Sequence, residues 1–425
     1  MKFNLKSTTF RSFRNRNYVL YFIGQGTSQI GTWMQRTGVA WLIYTITHSN
    51  FMLGLTVFVS QFPSFVFSLY GGIISDRYNR YNILLVTQIA AMLQAVLLAI
   101  LALTHHYAVW EILSLSAILG VINAFDVPAR QPLVHDMIKD KADIPNALAF
   151  NSSLNNFARL VGPALSGLVM LKFGAGICFL LNALSFVAVI FCLVKMNLPA
   201  YIPSTAKKNM GSELVEGFVY LKNTSSIAII LILLSLVSLL VLPYNTLLPV
   251  FAKIIFKGNA ATFGFINSFI GIGAVCGTFF LASLKPGTDL KIVLLVNTII
   301  FGIALILFSQ IGYFPLAMFF AILCGFGTMS QTAICNTLLQ VNADKNMRGR
   351  VISYFAMAVF GMLPLGSLLV GALSQQIGAP DTLLIQGFLA LVIAAIFSNF
   401  LRQDKLNRKE TQRLKEEEAL LIERI

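Results

Sequence analysis

Gly71-Gly72-Ile73-Ile74-Ser75-Asp76-Arg77-Tyr78-Asn79-Arg80 sets a block of charge between two apolar stretches, 51–74 and 83–104, each long enough to cross a bilayer. The glycines let two helices meet closely. The Asp76 carboxylate suits the positive N-terminus of a neighbouring helix, and the arginines suit a partner helix or lipid phosphates. So compact a charged turn marks the end of one membrane span and the start of the next.

The whole chain follows that pattern. It has 425 residues, of which 57% are apolar and only 11% charged, and its mean hydropathy is positive. Too little polar surface remains for a soluble globule. Apolar runs of about 20 residues fall at 18–44, 51–74, 83–104, 109–130, 148–171, 174–195, 225–250, 261–284, 291–310, 314–339, 350–374 and 381–402. The fold class is therefore an all-α membrane protein with twelve transmembrane helices.

Basic residues orient it. With the N-terminus inside, all 31 lysines and arginines fall in inner loops or termini except Lys172, Lys253 and Lys257 outside and Arg36 and Arg159 within spans. Short loops rich in Lys and Arg stay in the cytoplasm, so both termini are expected there. The net charge of +14 is spread over every inner loop, which fits anionic headgroups and argues against nucleic acid as a partner. Met1 to Asn17 is basic and polar and the apolar stretch after it outruns a signal-peptide core, so the first helix is expected to persist. The five cysteines sit in spans without a C-x-x-C pair, which supports neither a disulfide framework nor a metal site.

A polar linker at 196–222, holding Pro199, Pro203, Lys207 and Lys208, divides the chain into a bundle at 1–195 and another at 223–402, followed by a charged tail at 403–425. Gly120 to Asp126 and Gly162-Pro163 to Gly167 find weak echoes in Gly325 to Gln331 and in Gly361-Met362-Leu363-Pro364-Leu365-Gly366. Two pseudo-symmetric six-helix bundles around a central site are the expected plan. The tail reads as a solvated or interfacial helix.

Gly72-x-x-x-Asp76-Arg77-x-x-Arg80 after span two, Gly162-Pro163-x-x-x-Gly167 in span five and the six-plus-six plan resemble the major facilitator superfamily. Gly31-Thr32-Trp33-Met34-Gln35 and Phe125-Asp126-Val127-Pro128-Ala129-Arg130-Gln131 are similar to its drug and siderophore exporter branch, which includes enterobactin and macrolide efflux proteins. The second-half loop Leu284 to Lys291 departs from the pattern, so only one half carries a well-formed gate. The resemblance implies alternating access and proton-coupled export, with a proton gradient in place of any cofactor, in a bacterial cytoplasmic membrane.

On that reading Gly72, Asp76, Arg77, Arg80, Arg130 and Arg350 form an inner gate, with Asp76 at the N-terminus of span eleven. The alternative is that these charges only stop helices sliding in the bilayer. Gly162, Pro163 and Gly167 pack helices. Gln25, Gln29, Thr32 and Arg36 recur at helical spacing and form a polar stripe on span one, Ser152, Asn156 and Arg159 form another on span five with Asn155 on its flank, and Asn123, Asp126 and Arg130 share a face of span four. Polar stripes in lipid need an interior to face, so these residues are the candidate substrate cavity. Interhelical hydrogen bonding for the Gln and Ser positions, snorkelling for Arg36 and structural pairing for Arg159 are the alternatives. Asp126 is the one acid clearly inside a span. It is either the proton carrier or a fixed partner of Arg130.

Two arginines against one acid favour an anionic or zwitterionic amphiphile, such as a siderophore, over a lipophilic cation. No H-E-x-x-H, Gly-rich phosphate loop or G-x-S-x-G motif supports membrane catalysis or ATP hydrolysis, so no enzyme is expected. A lysophospholipid flippase or an importer on the same fold is the alternative. The expected partners are a small-molecule substrate and membrane lipid, with the chain a monomer.

Overall fold

The computed structural model describes residues 8–138, 140–197 and 210–422. Among them, regular structure is entirely helical. Most of the expected linker lies outside the described residues.

A short 3-10 turn, Thr8–Arg14, precedes α1 (Arg16–Thr47), α2 (Asn50–Arg77), α3 (Arg80–Thr104), α4 (Val109–Met137), α5 (Ile144–Phe173), α6 (Ala175–Val194) and α7 (Met210–Asn223). Then come α8 (Ser225–Ile255), α9 (Ala260–Ser283), α10 (Leu290–Gln310), α11 (Phe314–Asn342), α12 (Arg348–Ile377) and α13 (Ala379–Ile422). Among the described residues ten of these are long and apolar enough to cross a membrane. The helices α1 (32 residues) and α5 (30 residues) are as long but more polar, because they carry the two stripes. The charged tail continues α13 without a break.

Corresponding residues do the same work in the two halves. Asn79 caps α3 and Asp289 caps α10, each side chain accepting from the backbone N–H two residues on. The eighth and ninth residues of each helix form a donor pair that reaches across: Thr87 and Gln88 to Asp126 in α4, Asn297 and Thr298 to Gln331 in α11. Gly174 and Gly378, with φ of 79° and 90°, turn α5 into α6 and α12 into α13.

Helices α1 to α6 pack together, as do α8 to α13, and two seams join the sets: α2 against α12 and α5 against α9. At the end of the molecule holding Thr47 and Asn50, the seams are tight. A Cβ on Gly54 would meet the Ser367 carbonyl at 2.3 Å, and one on Gly264 the Pro163 carbonyl at 2.5 Å. Gln375 Oε1 accepts from Ser49 Oγ and from the backbone N–H of Asn50 and Phe51, while Asn50 Nδ2 donates to Ser374. Trp41 of α1 stacks on Phe263 of α9, and the Lys253 ammonium lies 5.7 Å from the Tyr44 ring centroid. Toward the opposite end, which carries Asp76, the same helices expose Tyr70, Ser152, Asn155, Phe279 and Phe360. α2 packs along Met357–Ile377 of α12 rather than along Arg348–Ala356, so the two sets part at the Asp76 end.

Two helices of the second set depart from α geometry. Pro243 and Pro249 interrupt the backbone ladder of α8, which tightens to 3-10 over Leu242–Leu247 and widens to a π turn over Phe251–Ile255. Met357–Gly361 forms a second π turn in α12.

Candidate functional site

Gly162 brings the polar stripes of α1 and α5 together. Its missing Cβ would stand 2.5 Å from Trp33 Cβ and 3.1 Å from the Ile30 carbonyl, so the helices touch there. One turn along α1, Arg36 places its guanidinium carbon 5.3 Å from the Trp33 ring centroid; Arg159 of α5 reaches the same ring at 5.8 Å. Both are cation–π distances. Arg36 is exposed and Arg159 half-buried. Among the described residues neither makes a salt bridge. Arg36 also lies in the field of Arg159 and Arg130, and the neutral phenol of Tyr244 in α8 accepts from Thr328 Oγ1 at 3.4 Å.

Asp126 is differently placed. It is 3% exposed and its carboxylate is fully engaged. Oδ1 accepts from Thr87 Oγ1 at 3.0 Å and Gln88 Nε2 at 2.7 Å, and Oδ2 accepts from Arg130 Nη2. Arg130 Nη1 donates to Gln25 Oε1 at 3.1 Å. A buried carboxylate needs such partners, and here α3 and α4 supply them, with Gln25 of α1 holding the arginine. Gln331 in the other half accepts from Asn297 and Thr298 in the same way, with Cys335 in place of an arginine. One half holds an ion pair where the other holds a neutral amide.

The remaining stripe residues divide by exposure. Ser152 and Asn155 are exposed, and Gln29, Thr32, Asn123 and Asn156 half-buried. Gln25 is buried in the Asp126 network.

The gate residues are brought together only within each half. Arg80 lies 3.8 Å from both Asp76 and Asp136, and Arg77 is exposed beside them. Gly72 is half-buried near the Asp76 end of α2, while its neighbour Gly71 makes the close approach, its missing Cβ 2.0 Å from the Ala124 carbonyl of α4. Arg350 pairs with Glu216 of α7, and Tyr220 on the same helix accepts from the Asp344 N–H. Arg130 joins Asp126 rather than this group. Pro163 and Gly167 lie in the α5–α9 seam, where Gly167 meets Ala260 and Gly264.

Sequence reasoning missed several participants. Gln88 and Thr87 looked like ordinary polar residues of an apolar span. Tyr244 lies in the Pro-bounded stretch Leu242-Pro243-Tyr244-Asn245-Thr246-Leu247-Leu248-Pro249, and the two prolines were the available signal. Glu216 lies in the stretch 196–222, whose composition reads only as a polar linker. Among the described residues no three His, Cys, Asp or Glu converge on a metal-sized site.

A family described as "Transmembrane secretion effector" matches residues 7–423. The staphyloferrin A transporter of Staphylococcus aureus (strain NCTC 8325 / PS 47) is 28% identical over 386 residues, covering 90% of this chain and 96% of that protein. Macrolide efflux protein A of Streptococcus pyogenes is 22% identical over 380 residues, covering 88% and 93%. In three dimensions a crystal structure of a variant of the peptide transporter POT superposes with a TM-score of 0.73 at 13% identity, covering 91% of this chain and 94% of that one.

Proposed function

We propose that this chain, which belongs to the transmembrane secretion effector family of major facilitator transporters and is not an enzyme, exports a small anionic amphiphile, such as a siderophore or an acidic drug, by alternating access. It is a multi-pass membrane protein. In this reading twelve helices cross a bacterial cytoplasmic membrane as two six-helix bundles, 1–195 and 223–402, joined by the cytoplasmic stretch 196–222. Both termini and the tail from 403 are cytoplasmic, so the Asp76 end faces inward and the open cleft faces the cytoplasm, where an exporter loads.

The observation that carries the cargo assignment is the pair of guanidiniums, Arg36 and Arg159, over one tryptophan without an acidic partner. A cation with no counter-charge in a site that must close costs several kcal/mol, so an anionic group on the cargo completes it. Asp126 does not serve that role, because Thr87, Gln88 and Arg130 already occupy its oxygens.

Proton coupling falls to Asp126. Protonation would remove the charge that holds Arg130, releasing α4 from α1 through Gln25 and linking a proton to the change of state. The inner gate closes when α2 and α12 meet at Asp76 and Arg350. Lipid bounds the helices, and the working unit is the monomer.

Binding decides the cargo class. Arg159→Gln is expected to weaken anionic amphiphiles with little change in thermal stability, and Arg159→Lys to recover only part, because an ammonium lacks the planar two-pronged donor. A loss of stability without a loss of affinity would make Arg159 structural, and preferential binding of lipophilic cations by the wild type would overturn the anionic cargo.

A further inference from the structure

We propose that Trp33, Arg36 and Arg159 form a two-point clamp for a ligand carrying two separated anionic groups. This rests on the anionic-cargo reading above and adds the number and spacing of the charges. The Trp33 ring is the shared element: the guanidinium carbons of Arg36 and Arg159 lie 5.3 Å and 5.8 Å from its centroid, so they are no farther apart than those distances laid end to end. Each ring face attracts a cation through its quadrupole but supplies no net negative charge. The two like charges therefore repel each other beside the ring, and Arg130 adds to the field at Arg36.

The charges in this region do not cancel. Asp126 balances Arg130, and its oxygens are taken by Arg130, Thr87 and Gln88. Arg36 and Arg159 are left as two positive charges without a carboxylate in salt-bridge range among the described residues. A monoanion would neutralise one and leave the other to be enclosed unpaired when the cleft closes. A ligand with two carboxylates or two phosphates satisfies both, each fork meeting one planar group. The clamp spans two helices, and the Gly162 contact at Trp33 fixes its width.

The test reads Trp33 itself. The chain has 3 tryptophans, so Trp41→Phe with Trp110→Phe leaves Trp33 as the sole indole reporter. Its emission is titrated at constant ionic strength with glutarate, citrate and butyrate. Glutarate and citrate are expected to bind at least about tenfold more tightly than butyrate. Arg36→Gln and Arg159→Gln are each expected to reduce them to the butyrate level. Arg36→Lys and Arg159→Lys, which keep the charge, give intermediate affinities and carry the test if a glutamine variant fails to fold. Equal affinity for glutarate and butyrate, lost with either arginine, would overturn the clamp while leaving an anion site. Binding of none of the three, with tetraphenylphosphonium shifting the emission instead, would remove the anionic-cargo reading as well.

Discussion

Gly162 of α5 stands against Trp33 of α1 so closely that a methyl group at 162 would overlap the tryptophan's Cβ at 2.5 Å. The Gly-Pro element of α5 is therefore the spacer that sets Arg159 over the ring Arg36 also uses. A side chain there must push the helices apart.

Gly162→Ala is expected to destabilise the protein by about 1–3 kcal/mol, the usual range for overpacking a filled contact. It should also shift Trp33 emission and weaken anion binding. Thermal unfolding beside a Trp33 titration checks this, and wild-type values in both would show that the contact does not set the site.

Asp126→Asn keeps an oxygen acceptor for Thr87 and Gln88 but leaves Arg130 without its carboxylate. The expected outcome is loss of flux driven by a pH gradient with counterflow retained in the same vesicles. Removing one partner of a buried pair costs about 3–5 kcal/mol, so the fold must be checked first. Equal loss of both fluxes would make Asp126 a structural partner of Arg130, and unchanged gradient-driven flux would exclude it as the proton carrier.

Arg350 offers two substitutions with opposite signs. Its partner here is Glu216, while Asp76 lies beside Arg80. Glu216→Gln should free Arg350 for α2 and reduce cysteine labelling of the cleft at the Asp76 end. Asp76→Asn should increase that labelling and slow transport while leaving expression intact. Changes of the same sign in both would rule out competition between the two acids for Arg350.

The apolar spans, the inner charged loop and the repeat were legible because a bilayer imposes length and polarity on every helix. Polar stripes on α1 and α5 were legible from spacing alone. Which partners each polar residue chooses was not. Arg130 could have served the gate or Asp126, and only packing of α3 against α4, which brings Thr87 and Gln88 to the same carboxylate, shows that it serves Asp126 in this conformation. Tyr244 was hidden for a related reason: a proline-bounded break in α8 directs its phenol toward α11, where Thr328 lies 3.4 Å away, and no periodicity survives such a break.

At the sealed end Gln375 alone holds three donors from the start of α2. Each such bond contributes about 0.5–1.5 kcal/mol net, so Gln375→Ala should shift the population toward the state open at that end. Labelling of a cysteine placed near Asn50 from the outside reads the shift. Unchanged labelling would mean that the glycine contacts of α2 with α12 and α5 with α9 hold the seal alone.

Counterflow in proteoliposomes tests transport of an anionic amphiphile most directly. Purified wild-type protein and Arg159→Gln are compared across siderophores, lysophospholipids, macrolides and lipophilic cations, with and without a pH gradient. The expected result is counterflow of an anionic siderophore or acidic drug by the wild type, enhanced by the gradient and strongly reduced in Arg159→Gln. Counterflow confined to lipophilic cations, or to lysophospholipids without any response to the gradient, would contradict it.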